Sequence, residues 1–389
     1  MLERYLETLL FELRGADDFL MAIPAEAREE WESLPSGAQA RLRQNADAWL
    51  QRDVPTLSAS DYVSYSRAGV AAKYMQNWQT RRQMLSDLVL GACVTDDSRY
   101  DLKLCDVIWA ICEESSWVLP QNNLMNRERQ PLPDAFVHRV DEGAARTAAD
   151  LALAVHMAAG HMNAVSDQVQ QRIADEIQRR IIGPFMELTE FNWICGPKAV
   201  AAACLCGCML AALTFVREDR QRWACARKGT ELLDRCLEAL PRDGSLPGGL
   251  DYWAATAQPL VDLVMTLLSA SGGAVDMRRE RQIRLLCHYP VFCHVAEGYF
   301  INPGQHSMRP ELNGALLYRI GAYIGDNALC DLGAFLERRG LGTAAAPREG
   351  EWFLHRAADL FNAAALGEEM AKPPFRRQGY YAQDRKSVV

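Results

Sequence analysis

The chain has no basic excess. Its 42 Lys and Arg face 50 Asp and Glu, a formal net charge of −8. That balance excludes a general nucleic-acid binder with a basic face, and any polyanionic ligand must be held by a local cluster of Arg or Lys against an unfavourable overall field. Glycine fingerprints for phosphate and nucleotide are missing as well. No Walker loop, no dinucleotide motif and no G-x-S-x-G elbow occurs, so phosphoryl transfer, hydride transfer and serine hydrolysis have no support. A run of about 18 uninterrupted apolar residues, enough to cross a membrane, is absent, with Ala199 to Val216 coming nearest. The start, MLERYLETLLFELRG, places Glu3 and Glu7 where a secretory signal needs its apolar segment. With twelve cysteines and no export signal, the expectation is reduced thiols and a cytoplasmic protein. Sustained period-two alternation is missing, which argues against strands. No fixed-period repeat is found, which argues against a regular solenoid.

What is present is helical periodicity. Leu2, Leu6, Leu9, Leu10 and Leu13 form a first stripe, and further amphipathic stretches run at 24–53 and 59–93, the second opened by Ser58 with Asp61 three residues on. Asp101 to Val118 carries Leu104, Val107, Ile108 and Ile111 on one side and ends at Pro120. Residues 121–142 are polar and carry Pro131 and Pro133, a long connection of the kind that is usually functional or mobile. Helices resume at 146–163 and 167–188, where Val169, Ile173, Ile177, Ile181 and Phe185 recur every fourth residue and Arg172, Arg179 and Arg180 lie off that row. After a break at 191–197 they continue at 198–216, 219–240, 252–271, 279–295, 311–323, 326–339 and 351–369. Short connections between roughly fourteen helices predict antiparallel hairpins. The fold expected is therefore all-α, an incomplete α/α toroid over residues 1–370. Residues 371–389 read as a linker and a single strand without a sheet.

Candidate chemistry is sparse. Cys204, Cys206 and Cys208 alternate within a helix, where residues two apart point to different sides. They suit small buried positions better than the paired ligands of a zinc site. His156 and His161 are five apart, off the i, i+4 spacing of a helical zinc motif. His288, His294 and His306 gather near Tyr289, Asn302 and Gln305, and His306 sits in a Pro/Gly-rich loop. No metal and no cofactor is expected. Asp243 to Gly273 stands apart: a glycine- and proline-broken loop delivers Tyr252 and Trp253 to the first turn of a long apolar helix.

Three segments resemble the N-terminal domain of the heparinase II/III-like polysaccharide lyases. They are Cys105 to Asn123 (CDVIWAICEESSWVLPQNN), Phe191 to Cys195 (FNWIC), and Asp243-Gly through Tyr252-Trp253 with the helix ending at Gly272-Gly273. Gly298 to Asn302 (GYFIN), then Tyr318-Arg-Ile-Gly321, adds a fourth likeness. The resemblance implies an α/α toroid that normally precedes a β-sandwich, and β-elimination on a uronic-acid-containing acidic polysaccharide or oligosaccharide. That reaction needs the uronate carboxylate neutralised, a base for the C5 proton and an acid for the leaving glycosidic oxygen. By resemblance Tyr252 is the base and acid, and Asn192 neutralises the carboxylate. Trp193, Trp253, Trp117, Gln121, Asn122, Arg127 and His306 would bind sugar, with Trp109, Arg129 and Arg139 as further candidates, since aromatic faces suit sugar rings and Arg forks suit carboxylate and sulfate. The chain departs from the family in five places. The asparagine-rich run before Trp-Ile-Cys is shortened, Pro120-Gln121-Asn122 stands where relatives often have Pro-x-His-Asn and the histidine is gone, the acid before Tyr-Trp is missing from Gly248-Gly249-Leu250, Asn302-Pro303-Gly304-Gln305 stands where Asn-Phe-x-Asp often follows the fourth likeness, and no β-sandwich follows. A non-catalytic carbohydrate-binding or interaction toroid, or an inactive piece of a lyase, is the alternative expectation.

Overall fold

In the computed structural model the described residues are 2–16, 19, 22–123, 130–188, 191–195, 198–246, 248–301, 307–339, 352–361, 366, 379–381 and 386–388. The fold is all-α. Lys198–Phe215 is a deeply buried helix, its residues 201–213 all buried. Its alanines and cysteines leave thin walls, so neighbours approach closely. At Gly207 a Cβ would stand 2.2 Å from the main-chain oxygen of Ala145 in Glu142–Val165. The helix is flanked by Glu142–Val165 on one side and Gly249–Ala270 on the other, with Asp219–Glu238 across it. Burial pushes the thiols of Cys204, Cys206 and Cys208 up, so they remain protonated apolar groups.

The succession extends both ways. Ala72–Thr95 packs on Glu142–Val165, and Gly314–Ile324 touches Gly249–Ala270 while pairing with Asn327–Arg338. That last pair meets through glycines, a Cβ at Gly314 falling 2.5 Å from the Gly333 oxygen and the reverse. Phe353–Leu360 contacts Ala72–Thr95, Glu142–Val165 and Gly314–Ile324, and it does so through polar groups. Arg356 pairs with Asp87 at 2.6 Å, Asp359 accepts from Arg319 Nε at 2.8 Å, and the Phe353 N–H reaches Asp150 at 3.3 Å. Arg319 also holds Asp262 at 2.6 Å, whose second oxygen lies 2.9 Å from His355 Nε2. Burial alone would raise Asp262, but Arg319 and then His355 outweigh it and hold the carboxyl below its ordinary value.

Several expectations change in detail. Ser58 does cap a helix, its Oγ accepting from Asp61 N at 3.2 Å, but the helix is Ala59–Ala68. Gly69, at φ 72°, stops it before Ala72–Thr95 begins. The stretch 24–53 is likewise two helices, Arg28–Ser33 and Ser36–Asp47, separated at Pro35. The tail is not a lone strand: Gly379–Tyr381 pairs antiparallel with Lys386–Val388, Tyr380 opposite Ser387. A second small ladder joins His294–Ala296 to Tyr299–Phe300. Among the described residues no helix is long and apolar enough to cross a membrane.

Candidate functional site, a cleft under the 130–139 connection

The helix Asp101–Cys112 ends against two arginines. Arg81 donates to Ala110 O at 2.8 Å and Arg180 to Cys112 O at 3.3 Å, which satisfies carbonyls that the last turn leaves open. The chain then turns through Glu114. This buried carboxylate takes both nitrogens of Arg82, at 2.6 and 2.8 Å, and Arg81 at 3.1 Å. Arg82 also donates to Thr147 at 2.8 Å and lies 4.5 Å over the Trp78 ring. The Glu114 cluster therefore ties the turn to Ala72–Thr95 and Glu142–Val165 at once. Removing one partner of such a buried pair typically costs about 3–5 kcal/mol.

Beyond it the chain bends, Val118 N–H donating to Ser116 Oγ at 3.1 Å. Trp117 points inward, its indole N–H donating to Ile111 O at 3.0 Å beneath the Arg180 guanidinium. Ser116 and Val118, both buried, line a hollow of about 370 Å³ with Asn123, Asp134, Val137 and Arg139. A second hollow of about 440 Å³ shares Ser116, Leu132 and Pro133 with the first and adds Tyr62, Tyr74, Arg81, Glu113 and Glu114. The connection 130–139 roofs both.

The groups in this cleft differ in how committed they are. Tyr62 donates to Val118 O at 3.0 Å and meets Tyr74 edge-on at 5.0 Å. Burial pushes both phenols well up, so they stay protonated and offer surface rather than a base. Asp141 caps Glu142–Val165, accepting from Ala144 N at 2.8 Å, Leu119 N at 2.9 Å and Asn122 Nδ2 at 2.8 Å. Burial nevertheless pushes this carboxyl up to about 6. Arg139 is half-buried on the cleft wall.

The expected site residues divide. Gln121 and Asn122 are half-buried beside the cleft, and the Asn122 amide is taken by Asp141. Trp117 and Trp253, expected as sugar platforms, are core residues. Trp253 is inaccessible and its indole donates to Leu286 O at 2.7 Å. Tyr252, next to it, turns outward and is 53% exposed. Its ring lies on Gly248, where a Cβ would stand 2.4 Å from the ring carbon Cδ2. The loop before it is seated by Gly244, at φ 79°, against the Leu285 main chain. Trp193 is buried and stacks on Phe191 at 4.7 Å. Lys228 spans the rings of Phe185 and Phe191 and donates to Met186 O at 3.1 Å, fixing that segment. The indole N–H of Trp193 is buried and has no partner among the described residues. Neither Trp193 nor Tyr252 lines the cleft. Arg127, Arg129, His306 and the Asn192 side chain lie outside what is described.

The sequence reading missed Tyr62, Tyr74, Arg81, Glu113 and Glu114. No family model matches this chain, and a search of curated proteins finds no match to it.

Proposed function

We propose that the chain is a polysaccharide-lyase-like α/α toroid that handles uronic-acid-containing saccharide by β-elimination. One observation carries the reading. The first resembling segment runs from the helix Asp101–Cys112 into the connection before Glu142–Val165, the second is the turn before Lys198–Phe215, the third leads into Gly249–Ala270, and the fourth reaches from Tyr299–Phe300 into the middle of Gly314–Ile324. The helices Glu142–Val165, Lys198–Phe215, Gly249–Ala270 and Gly314–Ile324 contact one another in that order. The returning partners are joined to them by short links, as at 216–218 and 325–326. Hairpins of this kind bring every second connection to the same end of a bundle. The cleft under 130–139 belongs to the first of those connections.

In elimination the C5–H bond breaks to a base and its electron pair becomes the C4–C5 double bond. The C4–O bond then breaks and the departing oxygen takes a proton. Tyr252 suits the proton-transfer role in position and exposure: it stands in the first turn of a rigid helix, with its ring held on the Gly248 backbone. Asn192, in the short turn Asn192–Cys195, is assigned the carboxylate by resemblance. The test is the ultraviolet absorbance of the unsaturated uronate product over a panel of heparin, heparan, chondroitin, hyaluronan and alginate, polymers and short oligosaccharides alike. No rise on any of them removes the elimination reading.

A second reading has its own support. Three ionisable groups of the cleft are committed, Glu114 to two arginines and Tyr62 and Tyr74 to their protonated forms. Such a surface binds without reacting. A carbohydrate-binding toroid predicts saccharide affinity without turnover, and indifference to Tyr252→Phe.

A further inference from the structure

In a chain of net charge −8, three arginines converge on one glutamate. Glu176 is buried and lies 3.0 Å from Arg172, 2.6 Å from Arg179 and within hydrogen-bond reach of Arg180. Burial alone would raise Glu176, but Arg180 and Arg179 outweigh it and hold it ionised. Among the described residues no second carboxylate pairs with these three cations, so one negative charge faces three positive ones. Arg180 is consumed internally by Glu176, Cys112 O and the Trp117 face. Arg172 and Arg179 are different. Their side chains are 40% and 46% exposed, and a guanidinium has five donors, more than one carboxylate contact uses.

Local geometry favours a ligand there. The turn Gln178–Ile182 is a π-helix in which Arg179 is exposed and Arg180 buried. Such turns are rare and concentrate at functional sites. Arg172 also lies 5.9 Å over the ring of Trp109. That tryptophan is 44% exposed, and its indole N–H is oriented by Glu113 at 2.9 Å. Glu113 in turn lines the larger hollow, so the patch and the cleft are continuous. His138 stands close by in the cleft roof. Burial, then Arg179 and Arg180, hold it below its ordinary value, with Glu176 and Asp134 opposing, so it adds no charge near neutral pH. An exposed indole face beside two exposed arginine forks has the chemistry of an acidic sugar: a ring to stack and an anionic substituent to clamp.

We infer that Trp109, Arg172 and Arg179 form a binding subsite for the anionic group, sulfate or carboxylate, of an acidic saccharide whose chain continues toward the cleft. This rests on the saccharide reading above and adds where its charge is held. The test is calorimetric titration of the whole chain with a heparin-derived tetrasaccharide, its desulfated counterpart and sodium sulfate. R172Q/R179Q should weaken tetrasaccharide binding about tenfold or more for each fork lost, given the strength of a charge-assisted bidentate contact. Trp109→Ala should weaken the tetrasaccharide and leave inorganic sulfate unchanged. A preference for the sulfated form assigns the clamp to sulfate, and equal binding assigns it to carboxylate. Unchanged affinity in R172Q/R179Q, indifference to Trp109→Ala, or binding of inorganic sulfate alone overturns the inference. Glu176 keeps Arg180 in the double variant, and Trp109→Ala removes a half-exposed side chain, so both should retain the wild-type circular dichroism. Arginine-dependent binding with no unsaturated product removes elimination and leaves the subsite. Turnover with an unchanged KM in R172Q/R179Q removes the subsite and leaves elimination.

Discussion

Asp141 sets burial against hydrogen bonding in one carboxyl group, and the outcome is measurable. Three donors favour its charged form: the N–H groups of Ala144 and Leu119 and the amide of Asn122. Burial favours the neutral form and is the larger effect, taking the group from 3.8 to about 6. Between those values the folded chain holds a proton that the unfolded chain has released. Stability must then fall as pH rises through that window and level off above it. At about 1.4 kcal/mol per pH unit, the difference amounts to about 3 kcal/mol. The assay is urea unfolding of the wild type and Asp141→Asn from about pH 3.5 to about pH 7. Asparagine cannot titrate, so the stability of the wild type minus that of the variant should decline by about 3 kcal/mol across the window. The constant offset, which includes any mismatch of the Asn122 and Leu119 donors with an amide, does not enter. A flat difference, or one that grows with pH, would mean that the three hydrogen bonds outweigh burial and would refute the reasoning.

Other outcomes follow from the packing and the candidate site. Gly207→Ala should destabilise by about 1–3 kcal/mol in chemical denaturation, because its Cβ would meet the Ala145 oxygen of a helix that cannot retreat. Arg319→Met should cost about 3–5 kcal/mol at neutral pH by leaving Asp262 and Asp359 buried without their shared cation. That loss should shrink in acid as the two carboxyls protonate, with thermal melts at both pH values as the check. Tyr252→Phe keeps the ring that lies on Gly248, so the variant should stay folded with the wild-type circular dichroism. It should also abolish formation of the unsaturated product, and surviving turnover would take the proton-transfer role away from Tyr252.

Part of the architecture was legible without coordinates because its causes are local. Leu104, Val107, Ile108 and Ile111 repeat at helical spacing and are all buried. Ser58 is a cap because a hydroxyl before a helix needs only the N–H three residues on. The loop ending in Gly248-Gly249 had to open a helix carrying Tyr252, and it does.

The site was less legible, because burial depends on what lies opposite. Tyr252 and Trp253 are neighbours of similar chemistry. Only the packing of Gly249–Ala270 against the helix that carries Leu286 sends one outward and the other into the core. Trp117 reads as a sugar platform until Arg180, from a distant helix, is found over its ring. The charged clusters were the least visible. Arg319 finds Asp262 across 57 positions and Asp359 across 40, and Arg356 finds Asp87 across 269. In a sequence each of these reads as an ordinary surface charge, since an ion pair has no periodicity. The sequence by itself determined the all-helical class, the Ser58 cap and an acidic overall field, because these follow from spacing and composition. Only the tertiary structure decided which arginines are consumed internally and which are left to face a ligand, because that depends on how many carboxylates the fold brings to each.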